Sequence, residues 1–145
     1  MKKRQILNHL QSGLETIQVS NGYLTNAGSL VAYWGDTNQE WSTDGINFRD
    51  ISCDVTENNS YHSHVLHVEI EAIAFTDDPL ETGCNLEADI ISCVSSRLNW
   101  EGYALITQLE TDSAISKEVV TAGKTAISMV VRIAITFRTN KWQLD

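Results

Sequence analysis

Apolar residues change their spacing several times along the chain, and each change marks an element. Ile6, Leu10, Leu14 and Ile17 recur at steps of four and three, with Leu7 on the flank. That is one buried helical stripe, so residues 3–19 are predicted to form an amphipathic helix that Asn21-Gly22 ends. Residues 22–49 carry Gly, Asn, Thr and Asp with scattered aromatics (Tyr23, Tyr33, Trp34, Trp41, Phe48) and no sustained period, except for a short strand-like run at 29–34. Structureless connections beyond about 12–15 residues are uncommon in a compact domain and tend to be functional, so this excursion is a candidate contact surface. A weakly patterned strand pair is the alternative.

Ile51, Cys53 and Val55 alternate with Ser52, Asp54 and Thr56, the period of a half-buried strand, and Glu57-Asn58-Asn59-Ser60 supplies its turn. From His62 to Phe75 the even positions Leu66, Val68, Ile70, Ala72 and Ala74 are apolar while His67, Glu69 and Glu71 take odd ones. This predicts a long strand with one wet face, paired with the preceding strand as a hairpin. Thr76-Asp77-Asp78-Pro79 breaks it. Leu86, Ile90, Val94 and Leu98 at steps of four, with Ile91 beside them, predict a second helix over about 84–98. Gly102 closes the passage, and Leu105, Ile106 and Leu109 return the chain to the sheet. Residues 126–139 are the clearest strand: Ile127, Met129, Val131, Ile133, Ile135 and Phe137 share one face, and a one-residue slip would invert them all.

The expected fold is α+β: an antiparallel or mixed sheet of four or more strands with two helices on one face, in the order α-β-β-α-β-β. The sheet's other face carries His67, Glu69, Glu71, Arg132, Thr136 and Arg138 among Val65, Ile73, Phe75 and Val130. Such a mixture reads as ordinary surface or as a protein contact; its charges argue against a buried two-layer sandwich.

The length of 145 residues fits a single domain over 1–145, and one Pro, eight Gly and no repeat mark no linker. Ten Lys+Arg against nineteen Asp+Glu give a net charge of −9, which disfavours sequence-tolerant nucleic-acid binding. No apolar stretch approaches the ~20 residues of a membrane-spanning helix. Lys2, Lys3 and Arg4 look like the start of a signal peptide, but Gln5, Asn8, His9 and Gln11 interrupt what would be its apolar segment, so the mature chain is expected to begin where the sequence begins. Cys53, Cys84 and Cys93 fit neither a disulfide framework nor a zinc ribbon, and reduced thiols in a cytoplasmic fold are expected.

Several patterns touch on chemistry. Gly123-Lys124-Thr125 looks like the end of a P-loop, yet Glu118 stands where the earlier Gly is needed and a strand follows. His62 and His64 share a strand face in a spacing that can hold zinc, with His67 opposite and Asp54 across the hairpin; a polar strand entrance is the simpler reading. Asp36-x-Asn38-x-Glu40 has alternating oxygen ligands but lacks the Gly and the final Glu of a calcium loop, where Asn47 sits. Glu69 and Glu71 share a face as paired catalytic acids do, though such pairs are commonly just hydrated. No nucleophile-elbow glycine pattern surrounds a serine or cysteine, and Cys84 and Cys93 read as core thiols of the second helix. No cofactor is expected.

The final strand, Val131-x-Ile133-x-Ile135-x-Phe137-Arg138-Thr139 followed by Lys141-Trp142, resembles the C-terminal signature of tailed-bacteriophage tail terminator proteins. Arg4-Gln5-Ile6-Leu7 opening a helix, the strand at 65–74 and Leu86-x-x-Asp89-Ile90 in a helix are similar to that family in order and spacing. The resemblance implies a non-enzymatic virion protein, made in the host cytoplasm, that forms a ring, typically a hexamer. Such a ring caps the tail tube, stops its growth and offers the surface that joins the head. Its partners would be its own copies, the tail tube protein and head-neck connector proteins, with DNA passing through without specific binding. The acidic balance suits that passage. The segment 22–49 departs from the family pattern. Trp41 and Phe48 flank the turn-prone stretch that holds Asp44, and these aromatics are either interface anchors or packed on their own domain. Arg138, Lys141 and Trp142 form a cationic and aromatic patch suited to an acidic neighbour in the ring, or ordinary strand-end surface. Another head-tail completion or neck protein is the nearest rival; a small cytoplasmic enzyme or ligand-binding module using His62, His64, Glu69 or Glu71 is the rival of a different class.

Overall fold

The computed structural model describes residues 1–34, 44–110 and 125–142, together with the backbone of 114–119. The first helical stripe becomes α1 (Lys2–Glu15), which buries Ile6, Leu10 and Leu14. It stops short of the predicted residue 19 because Thr16 closes it, with its N–H and its hydroxyl both donating to Gly13 O at 3.0 and 2.6 Å. Ile17 is buried from just beyond the helix. The chain then passes tightly under the helix end: Gly28 N–H donates to Ile17 O at 2.8 Å, and a Cβ at Gly28 would lie 2.4 Å from Leu14 O.

A mixed sheet follows, made of β1 (Val31–Tyr33), β2 (Gly45–Glu57), β3 (Tyr61–Thr76), β4 (Ile106–Leu109), β5 (Ala114–Val119) and β6 (Thr125–Asn140). The strands lie in the order β1-β2-β3-β6-β4, and β5 pairs β6 along the same side as β4. Only β1 with β2 is parallel. The α+β class, the mixed sheet and the two helices agree with expectation. The order differs in part, because β1 precedes the hairpin and three strands follow the second helix.

Strands β3 and β6 pair from Tyr61↔Asn140 to Thr76↔Thr125 and form the spine of the sheet. Leu66, Val68, Ile70, Ala72 and Ala74 of β3 and the predicted odd positions of β6 join α1 and α2 in one buried cluster, so both helices pack on one face. The second helix, α2 (Pro79–Ser95), starts before the predicted residue 84: Asp78 caps it by accepting from Glu81 N–H at 3.2 Å, and Pro79 occupies the first turn. Leu98 falls beyond its end and is about half-exposed.

The described parts of the excursion, residues 22–34 and 44–49, are anchored to the domain. Asp89 of α2 holds the excursion by accepting from Leu24 N–H (2.9 Å), Thr25 N–H (2.8 Å) and the Thr25 hydroxyl (2.6 Å). Its last part already belongs to β2, which begins at Gly45. The pairing shifts between Asp50 and Ser52, which leaves Ile51 as a bulge. Ile46 and Phe48 therefore share the helix-side face with Cys53 and Val55, and the change of parity hides the strand's length in the sequence.

Candidate functional site

The face of the sheet turned away from the helices carries a network of charges. Glu69 on β3 lies between Arg49 of β2 (Nη2 to Oε1, 3.0 Å) and Arg132 of β6 (Nε to Oε2, 3.3 Å). Glu71 accepts from Arg49 Nη2 at 3.4 Å and from the Ser128 hydroxyl at 2.7 Å. One step along β3, His67 bridges two strands: Nδ1 lies 2.6 Å from Glu110 Oε1 and Nε2 lies 2.9 Å from Asp54 Oδ2. A carboxylate at each ring nitrogen favours the imidazolium form, in which both nitrogens donate. The hydrogen bond with Glu110, and then that with Asp54, raises the His67 pKa. Its partner across β6 is Ala134, whose methyl group leaves room for Glu110 to reach over from beyond β4.

Among the described residues, both lateral edges of this sheet are open. Strand β1 covers only 46–48 of β2, and its last backbone bond runs from Trp34 N–H to Phe48 O at 2.9 Å. Asp50 closes that corner by accepting from Trp34 Nε1 (2.9 Å), Lys3 Nζ (2.9 Å) and the Tyr33 hydroxyl. Burial would raise its carboxyl, but these donors outweigh burial and hold it at about 2, while Tyr33, buried beside it, is pushed up to about 12. Past this corner, residues 51–57 of β2 have no strand on their outer side among the described residues. On the other flank, β4 pairs only with β6 among the described residues. Ile51 and Val55 are half-exposed at the first edge, as are Leu105, Ile106 and Leu109 at the second. A shallow apolar groove of about 90 Å³ adjoins β4, lined by Ile91, Leu98 and Leu109 over Val131 and Ile133.

The two edges stand at one height. Register carries Ile106 through Thr136 and Val65 to Asp54, Thr107 through Ile135 and Leu66 to Cys53, and Gln108 through Ala134 and His67 to Ser52. The uncovered part of β2 is thus level with β4, while β1 is level with β5.

No protein-family model matches the chain, and no curated protein matches it.

Of the residues singled out in the sequence, the structure brings Arg138, Lys141 and Trp142 together at the β2–β3 turn end of the sheet. The Arg138 guanidinium lies 4.2 Å from the centre of the Tyr61 ring, Lys141 pairs with Glu57 at 2.8 Å, and Trp142 is 81% exposed with its ring edge-on to His62. The Lys141 hydrogen bond lowers the Glu57 pKa. Asp44 is at the opposite end, roughly 50 Å away at about 3.3 Å per residue of β3, where it accepts from Phe75 N–H at 3.0 Å. Phe48 is 1% exposed and packs on Tyr33, so of the two readings it takes the inward one: it belongs to its own core and offers no ring to a partner. Trp41, the Asp36-x-Asn38-x-Glu40 pattern and Gly123-Lys124 lie outside the described residues.

The histidine pair is tied up locally. His64 stacks on Phe137 at 4.6 Å and its Nε2 lies 2.8 Å from the Thr139 hydroxyl, while Asp54 turns to His67 on the other face. Among the described residues, no group of three His, Cys, Asp or Glu side chains is placed to hold a metal ion. Cys53 Sγ lies 4.0 Å from His64 Nδ1, but burial raises the thiol pKa, and burial followed by the nearby His62 lowers that of the imidazole. Both shifts oppose a thiolate-imidazolium pair. Cys84 is exposed, and Cys93 is buried against Gly13 O. No helix among the described residues is long and apolar enough to cross a membrane.

Sequence reasoning missed the open edges, the Glu110 arm of the His67 bridge and the Asp89 anchor. Only the edges had a visible signal, since Ile51 and Val55 alternate on a strand whose neighbour had not been assigned.

Proposed function

We propose that this protein is the subunit of a phage assembly ring of the tail terminator kind, which caps the tail tube, stops its growth and provides the head-tail joining surface. One observation carries the reading: among the described residues, a single sheet presents two open, unlike edges at the same height. Unlike edges join head to tail, and a head-to-tail contact yields a ring when its rotation closes and a filament when each step also rises. Level edges favour closure. Open edges bearing aliphatic side chains are also an aggregation hazard for a free chain unless a partner covers them.

The element order supports the resemblance as well. The match is partial: α1, the β2–β3 hairpin and α2 follow in the expected sequence, with β1 added before the hairpin and three strands instead of two after α2. In this reading the protein acts through its interfaces, without catalysis or a cofactor. Its partners are its own copies, the tube protein below and the neck connector above, with DNA passing through. It resides in the virion tail after assembly in the host cytoplasm.

The test is light-scattering mass across concentration, with electron microscopy of the protein alone and mixed with polymerised tail tubes. Hexameric rings, or density capping tube ends, are the expected result. A concentration-independent monomer that leaves tubes uncapped overturns the terminator reading, and density at the neck of assembled particles would assign the protein to head-tail joining instead.

A further inference from the structure

We propose that the joint between neighbouring subunits is an antiparallel strand addition in which the outer edge of β4 in one copy receives residues 52–55 of β2 from the next. The inference rests on the ring reading above and identifies the surface that builds the ring. Strand direction permits it. Strands β2 and β6 each run antiparallel to β3 and so share a direction, whereas β4 opposes β6. Copies related by rotation about an axis along the strands keep these directions, so β4 meets the next β2 in the antiparallel sense, the more stable pairing.

Position then selects the residues. Strand β1 blocks addition to 46–48, and the stretch it leaves open is level with β4. Row by row, Cys53 of the incoming edge falls beside Thr107 and Ser52 beside Gln108, and extending the register one residue before β4 sets Val55 beside Leu105. Val55 and Leu105 are half-exposed aliphatics that cover one another on the helix side, and Ile51 lies towards Leu109 and the groove beside α2. Glu110 N–H donates to Arg132 O, continuing the β4–β6 register by one residue. Because Glu110 turns its N–H towards β6, alternation turns the Leu109 N–H outwards, ready to donate to an added strand.

The joint is short beside the roughly 20–30 residues a side of a stable interface, so a lone pair of subunits binds weakly. A circular template that holds copies side by side supplies the effective concentration that closes the ring.

The test uses the full chain in a Cys53→Ser, Cys84→Ser background with Val55→Cys and Leu105→Cys. Directly opposed antiparallel residues lie about 4.5–5.5 Å apart at Cα, within disulfide reach. Mild oxidation at high protein concentration is expected to give a ladder of covalent multimers ending in one closed species. A control pair, Val19→Cys with Leu105→Cys, should give none. In otherwise wild-type protein, Val55→Lys and Leu109→Lys each place a charge on an exposed edge position and should weaken assembly at least tenfold with unchanged circular dichroism. If wild-type rings or capped tubes form but the cysteine pair gives no more ladder than the control, or both lysine variants assemble normally, the joint lies elsewhere and only this inference fails. If wild-type protein forms no ring and caps no tube, the ring reading fails and the joint fails with it.

Discussion

Replacing His67 by Gln removes a cation that bridges two carboxylates on the open face of the sheet. The Asp54 side chain is 75% exposed, so its contact belongs with surface pairs worth about 0–1 kcal/mol. Glu110 is 34% exposed and its contact is the shorter, at 2.6 Å, which places it near the lower end of the about 1.5–3 kcal/mol of a charge-assisted hydrogen bond, or about 1 kcal/mol after screening. The substitution should therefore cost about 1–2 kcal/mol where His67 is fully protonated. The pH dependence has a definite sign. The folded-state pKa of His67 is raised, so this stability is fully present below the unfolded value of about 6.5 and is lost as pH rises through the raised folded value. Urea unfolding of wild type and His67→Gln from about pH 5.5 to about pH 9 should show a gap that is widest at the acid end and narrows towards the alkaline end. A gap of constant size across that range would refute the bridging imidazolium.

Gly28→Ala should destabilise by about 2 kcal/mol or more, since its Cβ meets only backbone carbonyls, whereas Gly13→Ala meets the movable end of Arg97 at 2.9 Å and should cost far less; urea midpoints compare them. Asp89→Ala strands three donors at a residue only 3% exposed and should cost about 2–4 kcal/mol, read by thermal and urea unfolding and by faster hydrogen exchange at Leu24 and Thr25. Titration of native protein with a thiol reagent near neutral pH should modify Cys84 first, Cys53 slowly and Cys93 only on unfolding, because burial raises the pKa of the latter two; simultaneous modification would contradict the packing.

Elements with one unbroken period were legible in the sequence. The alternation in β3 and β6 and the stripe of α1 each follow from burial on a single face, so counting positions was enough. Strand β2 was only half legible, because the bulge at Ile51 sets 46–48 and 53–55 in opposite phase and no window shows both. The start of α2 is hard to read because Asp78-Pro79 serves equally as a strand breaker and as a helix start. Strand β5 had no clear pattern of its own. Of the candidate site, Arg138, Lys141 and Trp142 could be grouped because they are close in sequence. The long-range features were invisible: Glu110 reaches His67 only because β4 lies beside β6 opposite a small Ala134, and equal edge height emerges only when four strands are in register.

The pairing of charges on the open face also refines the electrostatic argument drawn from a net charge of −9. Net charge sets the distant field, but DNA inside a channel meets individual guanidinium groups, and a free pair of them would grip phosphate whatever the total. Glu69 and Glu71 occupy Arg49 and, through Glu69, Arg132, and His67 is held between two acids. On the ring reading, the part of a channel lined by Arg49, Arg132 and His67 is smooth to DNA because these three cations are already partnered. Glu69→Gln with Glu71→Gln preserves shape and one acceptor oxygen on each side chain while removing both counter-charges. The double variant should bind duplex DNA measurably at low salt, with up to two phosphate contacts and hence a log-log salt slope of roughly −1 to −2, where wild type shows no binding. Fluorescence anisotropy of a labelled duplex, with circular dichroism to verify folding, makes the comparison. A folded double variant as inert towards DNA as wild type would show that this face does not hold back its cations from phosphate, and the electrostatic account of passage would have to be abandoned.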